Sequence, residues 1–211
     1  MTKQAEKNLY ERRTITLKEL RVVDSISEPG VEPAIEGYAS VFDSWSEELG
    51  GNSPFRERVV KGAFEETIQR DDIRALFNHD PNYVLGRNVA GTLTLEEDDK
   101  GLKVRIVPPN TQWAKDLLIS IKRGDITQMS FGFTVILDRW SYEDNIDVRE
   151  ILKVKLFDVS PVTFPAYTQT ECGIRSLIDI MQTHKSEIAK SKETNKRKLD
   201  MQKQKLIFMG D

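Results

Sequence analysis

Gln128-Met129-Ser130-Phe131-Gly132-Phe133-Thr134 alternates large apolar residues with small or polar ones. Carried on to Leu137, the run puts Met129, Phe131, Phe133, Val135 and Leu137 on one face and Gln128, Ser130, Gly132 and Thr134 on the other. Period two with that contrast predicts a β-strand that buries one face and presents a serine on the other. Gly132, two residues beyond Ser130 on the same face, leaves room for another group to approach the hydroxyl. A serine on the outer face of a strand is ordinary by itself, so the rest of the chain decides whether it acts.

Upstream of this strand, Asn110 or Thr111 can cap a helix with Trp113, Leu117, Leu118 and Ile121 on its apolar side, and Gly124 stops it. Downstream, the polar residues 138–147 predict a hairpin tip and 151–161 the last strand. Nearer the start, residues 1–12 are polar and charged and read as a loose arm. Residues 14–23 and 35–42 read as two strands that pair as neighbours. Residues 43–54 read as a surface loop, and 55–60 fit no one element. A short helix follows Lys61-Gly62-Ala63-Phe64 and ends near Arg70, with Phe64 and Ile68 four apart on one side. Residues 73–79 form a further strand with Ile73, Ala75, Phe77 and His79 on one face, stopped by Asp80-Pro81-Asn82. Short strands at 84–89, 91–95 and 102–107 follow, the last two joined by the acidic loop 96–101.

Seven or eight short strands without long intervening helices predict a mostly antiparallel β-barrel or sandwich with flanking helices, not a doubly wound parallel sheet. The expected division is an arm over 1–12, one domain over 13–170, and a C-terminal charged tail over 171–211, helical or disordered. Between residues 182 and 211 there are eight Lys plus Arg against four Asp plus Glu, within a chain of net charge −3. A near-balanced charge does not announce a nucleic-acid binder. One cysteine, Cys172, excludes an internal disulfide framework, and two histidines, His79 and His184, exclude a multi-histidine zinc site within one chain. No cofactor is expected. The chain has no apolar run approaching membrane-spanning length, no G-x-S-x-G elbow and no phosphate-binding glycine loop.

Two further residues stand out. His79 is the one histidine of the expected domain; it reads either as a satisfied rim residue or as a general base near neutral pH. Asp158 continues the apolar face of Leu152, Val154 and Leu156, where a carboxylate needs donors. Those donors are backbone N–H groups, an arginine or an imidazole, and the last would fix the tautomer of a catalytic base. Ser130, His79 and Asp158 would then be nucleophile, base and orienter on three different strands. His184 lies in the charged tail and reads as a surface residue.

At these residues the chain resembles the prohead maturation proteases of tailed phages, a family related in structure to the herpesvirus capsid protease assemblin. The segments that carry the resemblance are Glu36-Gly37-Tyr38-Ala39-Ser40-Val41-Phe42, Lys61-Gly62-Ala63-Phe64, Leu76-Phe77-Asn78-His79-Asp80 with Leu85-Gly86-Arg87, Met129-Ser130-Phe131-Gly132-Phe133, and the stretch from Leu156 to Ala166 containing Asp158-Val159-Ser160-Pro161. It implies an assemblin-type antiparallel barrel and a serine endopeptidase with His79 as general base and Ser130 as nucleophile. The third position, usually Glu in that pattern, is Asp158 here, with Glu150 upstream as the fallback. The implied substrates are the scaffold or scaffolding arm of the major capsid protein and the protease itself. Its implied place is the assembling prohead in the host cytoplasm, with a homo-oligomer and a portal contact as further partners, and neither membrane nor specific nucleic acid. The rival reading is a catalytically silent capsid-assembly protein using the same barrel and tail for protein contacts.

Overall fold

A computed structural model of the chain describes residues 10–15, 20–24, 32–50, 54–164 and scattered positions between 182 and 201. Among the described residues up to 164, ten strands and two α-helices follow in order: β1 (Glu11–Ile15), β2 (Arg21–Val23), β3 (Ala34–Val41), β4 (Phe55–Val59), α1 (Glu65–Arg70), β5 (Arg74–Phe77), β6 (Asp80–Arg87), β7 (Leu93–Glu97), β8 (Gly101–Ile106), α2 (Gln112–Arg123), β9 (Gln128–Glu143) and β10 (Ile146–Val162). The fold is mostly β. One sheet runs β1-β9-β10-β5-β6, with β4 also on β10, and the other runs β2-β3-β8-β7.

Most pairings are antiparallel, but β10 pairs in parallel with β4 along Asp147–Ile151 and with β5 at Asp158 and Val159. The pairing is mostly antiparallel, as expected, and the two parallel ladders make this sheet a mixed one. Among the described residues, backbone pairing joins the two sheets at one parallel bridge, Phe42 with Val59, and no ladder closes them into a barrel. Of the two early strands expected to pair, only the second half holds: β2 pairs with β3, whereas β1 crosses to the other sheet and pairs with β9. Strand β1 also begins at Glu11, inside the stretch expected to be a loose arm.

Met129, Phe131 and Phe133 enter one contiguous core with Ile35, Leu102 and Ile106 from the other sheet and Leu117, Leu118 and Ile121 from α2. Burying each such side chain stabilises by about 1.5–3 kcal/mol. Helix α2 is bounded as its sequence requires, with Thr111 ahead of it and Gly124 at φ 83° closing it. The alternation fails beyond Val135, because β9 and β10 continue past the core as a ribbon: Leu137 is 54% exposed, and the turn lies at Asp144-Asn145 rather than spanning 138–147.

The second face of β9 is not the outer face the sequence predicts. Ser130 is only 1% exposed, and Thr134 is buried as well. Strand β1 lies alongside, with Thr14 opposite Ser130 and Arg12 opposite Gly132. The described positions of the charged tail between 182 and 201 are helical and exposed, with Arg197 and Glu193 paired at 2.6 Å. Cys172 and His184 lie outside the described residues.

Candidate active site

Ser130 sits on β9, and Ser160 on β10 is its direct antiparallel partner. Asp158 should by simple alternation share the core face of Leu156. It does not. The β9–β10 register shifts between Leu156 and Asp158, so Leu156 stands opposite Phe133 while Asp158 stands opposite Gly132. This bulge turns the carboxylate from the core onto the face of Ser130. The irregular backbone is held from outside the ladder, since Leu156 N–H donates to Thr67 Oγ1 at 2.9 Å.

His79 arrives differently from the expectation too. Strand β5 ends at Phe77, which pairs with Asp80, and Asn78 and His79 are the two residues of a hairpin turn with φ of 54° and 57°. Positive φ at both central positions is the pattern of a type I′ turn, for which Asn is well suited. The stretch expected to stop a strand thus opens β6. Pro81 is tolerated there because β6 is an edge strand. The turn is tied to the end of β10: Asn78 N–H donates to Pro161 O at 3.0 Å, Asn78 Nδ2 to Thr163 Oγ1 at 3.1 Å, and Thr163 N–H to Asn78 Oδ1 at 2.8 Å. These bonds aim the imidazole back over β10 and β9.

The three side chains meet. His79 Nε2 is 2.7 Å from Ser130 Oγ, and His79 Nδ1 is 2.6 Å from Asp158 Oδ1. The His79 and Asp158 side chains are each 6% exposed. Ser160 Oγ donates to Asp158 Oδ1 at 2.8 Å, and the Tyr10 hydroxyl donates to Asp158 Oδ2 at 2.9 Å. Ser130 Oγ is also within donating distance, 2.9 Å, of the Arg13 carbonyl on β1. Burial alone would raise the Asp158 pKa; the hydrogen bond and charge of His79, with the bonds from Ser160 and Tyr10, outweigh it and hold the carboxyl below its usual range.

Glu150, the alternative third member, lies elsewhere. It pairs with Arg58 at 2.5 Å and with Arg139, and those two arginines hold its pKa down. Eight residues of strand separate it from Asp158, about 25 Å. Tyr10, Ser160 and the Arg13 carbonyl were not singled out from the sequence. Ser160 had a signal, being two residues from Asp158 on one strand, whereas Tyr10 had none in its polar surroundings. A groove of about 490 Å3 lined by Leu20, Arg21, Glu36, Gly37, Tyr38, Lys100 and Lys103 lies on the other sheet and shares no residue with this cluster.

Such an arrangement can move a proton from a hydroxyl to an imidazole whose other nitrogen is fixed by a carboxylate. Residues 18–186 of the chain match the family described as caudovirus prohead serine protease. The chain is 30% identical over 159 residues to the prohead protease of Enterobacteria phage HK97, covering 73% of this chain and 65% of that protein, so it spans about two thirds of that relative's length. Its backbone is similar to the capsid assembly protease of bacteriophage T4, with 13% identity and a TM-score of 0.48, over 74% of this chain and 98% of the other.

Proposed function

The chain belongs to the caudovirus prohead serine protease family, and from that premise we propose that it is a serine endopeptidase of prohead maturation, with Ser130 as nucleophile, His79 as general base and Asp158 as the group that orients His79. The continuous relay of 2.7 and 2.6 Å contacts from Ser130 through His79 to Asp158 carries the reading. In the reaction, His79 Nε2 accepts the Ser130 proton as Oγ attacks a peptide carbonyl. It then gives that proton to the departing amine, leaving an acyl-enzyme that water hydrolyses by the same route. Asp158 Oδ1 accepts from Nδ1–H, which fixes the tautomer with Nε2 free and stabilises the imidazolium formed on attack. An aspartate is one methylene shorter than the glutamate usual at this position. The 2.6 Å contact supports the view that the turn at Asn78-His79 brings the imidazole close enough to compensate.

The substrates in this reading are the scaffold or scaffolding arm of the major capsid protein and the protease itself, met inside the assembling shell. The architecture the reading implies is a barrel related to herpesvirus assemblin; what supports it is the Phe42–Val59 bridge between the two sheets, which no ladder among the described residues closes. Co-expression with the cognate major capsid protein, followed by intact-mass measurement of both chains, tests the proposal. Wild type should yield discrete truncation that disappears in Ser130→Ala and in His79→Ala. Unchanged masses in all three with assembled shells present would instead establish a silent assembly protein. Truncation that survives Ser130→Ala would move the nucleophile elsewhere.

A further inference from the structure

Asp158 has two carboxylate oxygens, and they are used differently. Oδ1 takes His79 at 2.6 Å and Ser160 at 2.8 Å, while Oδ2 takes the Tyr10 hydroxyl at 2.9 Å. A carboxylate anchored through one oxygen can still rotate its plane; a second anchor on the other oxygen fixes that plane, and with it the direction Oδ1 presents to the imidazole. Tyr10 reaches this point from far away in sequence, 148 residues from Asp158. The contact has dedicated space. Gly132 faces Asp158 across the ladder, and a Cβ there would fall inside the contact distance of both the Tyr10 hydroxyl and Asp158 Oδ2.

The ring is held as well. It packs against Phe157 at 5.8 Å between centroids, the Arg12 guanidinium lies 5.2 Å from its centre, and Arg12 Nε donates to the phenol oxygen at 3.3 Å. Burial first, and then the charge of Asp158, push the Tyr10 pKa up to about 12, so the phenol stays a donor through neutral pH.

We propose that Tyr10, the residue directly ahead of β1, is a positioning residue of this active site, holding Asp158 through Oδ2 so that Oδ1 faces His79. The proposal rests on the serine protease reading above and names a residue that reading does not include. Loss of one hydrogen bond to a charged group permits about a tenfold slowing.

The test is the rate at which a fluorophosphonate modifies Ser130 in the full chain, followed by intact mass, for wild type, Tyr10→Phe, Asp158→Asn and the double variant. Tyr10→Phe keeps the ring contact with Phe157 and removes only the hydroxyl. It should label about tenfold more slowly. Its pH profile of labelling toward acid should move as well, because the imidazole takes up its proton beside a carboxylate that has lost a donor. On the Asp158→Asn background the same substitution should cost little or nothing, since the two act as one unit. Equal rates and pH profiles for wild type and Tyr10→Phe, or an undiminished slowing on the Asp158→Asn background, would overturn the role of Tyr10 alone. Wild type left unmodified at Ser130 would overturn both this proposal and the protease reading. Should Tyr10→Phe lose its melting transition, the contact is read from the phenolate absorbance of wild type against Asp158→Asn. Removing the carboxylate must lower the titration of one phenol, and identical phenolate titrations sink the proposal.

Discussion

Residues 10–13 send alternate side chains to opposite faces of the six-stranded sheet, and the two environments they enter handle polar groups in opposite ways. On one face Glu11 and Arg13 join Arg149, Glu57 and Asp138. Arg149 pairs with Asp138 at 2.7 Å, Glu11 at 3.2 Å and Glu57 at 3.3 Å, and Arg13 pairs with Glu11 at 2.7 Å and with Glu57. Arg149 is only 4% exposed; burial works against its charge, but Glu11, Glu57 and Asp138 outweigh that and raise its pKa further. The same balance, burial against Arg13 and Arg149, keeps Glu57 ionised. On the other face Tyr10 meets a carboxylate whose partners are two hydroxyls and an imidazole. The first cluster is made of fixed charges that neutralise one another, which suits a clamp. In the second the protons can be handed on, which suits chemistry.

That contrast can be broken at either end. Arg149→Met removes one of the two cations that Glu11 and Glu57 share, the other being Arg13, and removing one partner of a buried ionic cluster costs about 3–5 kcal/mol. Denaturant unfolding should show a loss of that size; a loss below about 1 kcal/mol would mean the charges clamp nothing. Gly132→Ala puts a methyl against the Tyr10 hydroxyl and Asp158 Oδ2, for which overpacking predicts about 1–3 kcal/mol. Because both displaced groups belong to the reactive face, Ser130 labelling should fall by more than the stability does, and the opposite ranking would refute the division. The smallest effect concerns acid. Asp158 has its pKa depressed in the folded chain, so its contribution to stability is complete above the ordinary carboxylate range and lost as pH falls through the depressed value. Thermal unfolding of wild type should therefore lose ground to Asp158→Asn as pH drops below about 4. A gap that is flat with pH would show that Asp158 is not held ionised by its partners.

The sequence made some of this legible, and the reasons for its failures are local. The Ser130 strand could be read because Phe131 and Phe133 enforce a period of two, and α2 could be read because its apolar positions repeat at helical spacing ahead of Gly124. Parity misplaced His79 and Asp158, though both were picked as candidates. A turn with two positive φ values has no alternation to extrapolate, and one extra residue near Phe157 inverts every face that follows. Strand β1 was hidden for another cause. Glu11-Arg12-Arg13 looks like solvated chain until Glu57 and Arg149, 44 and 138 residues away, supply the opposite charges.

Ser130 has one proton and two acceptors within reach, His79 Nε2 at 2.7 Å and the Arg13 carbonyl at 2.9 Å. His79 Nδ1 must carry hydrogen to bond Asp158. If the serine proton goes to the Arg13 carbonyl, then Nε2 keeps its own contact only by being protonated, and a doubly protonated ring has nowhere to receive anything. If the proton goes to Nε2, the carbonyl is released and the oxygen is in the state from which the proposed reaction starts. A single hydrogen therefore works as a toggle: the backbone of β1 and the imidazole compete for it, and the chain's own N-terminal segment sits on one side of that competition.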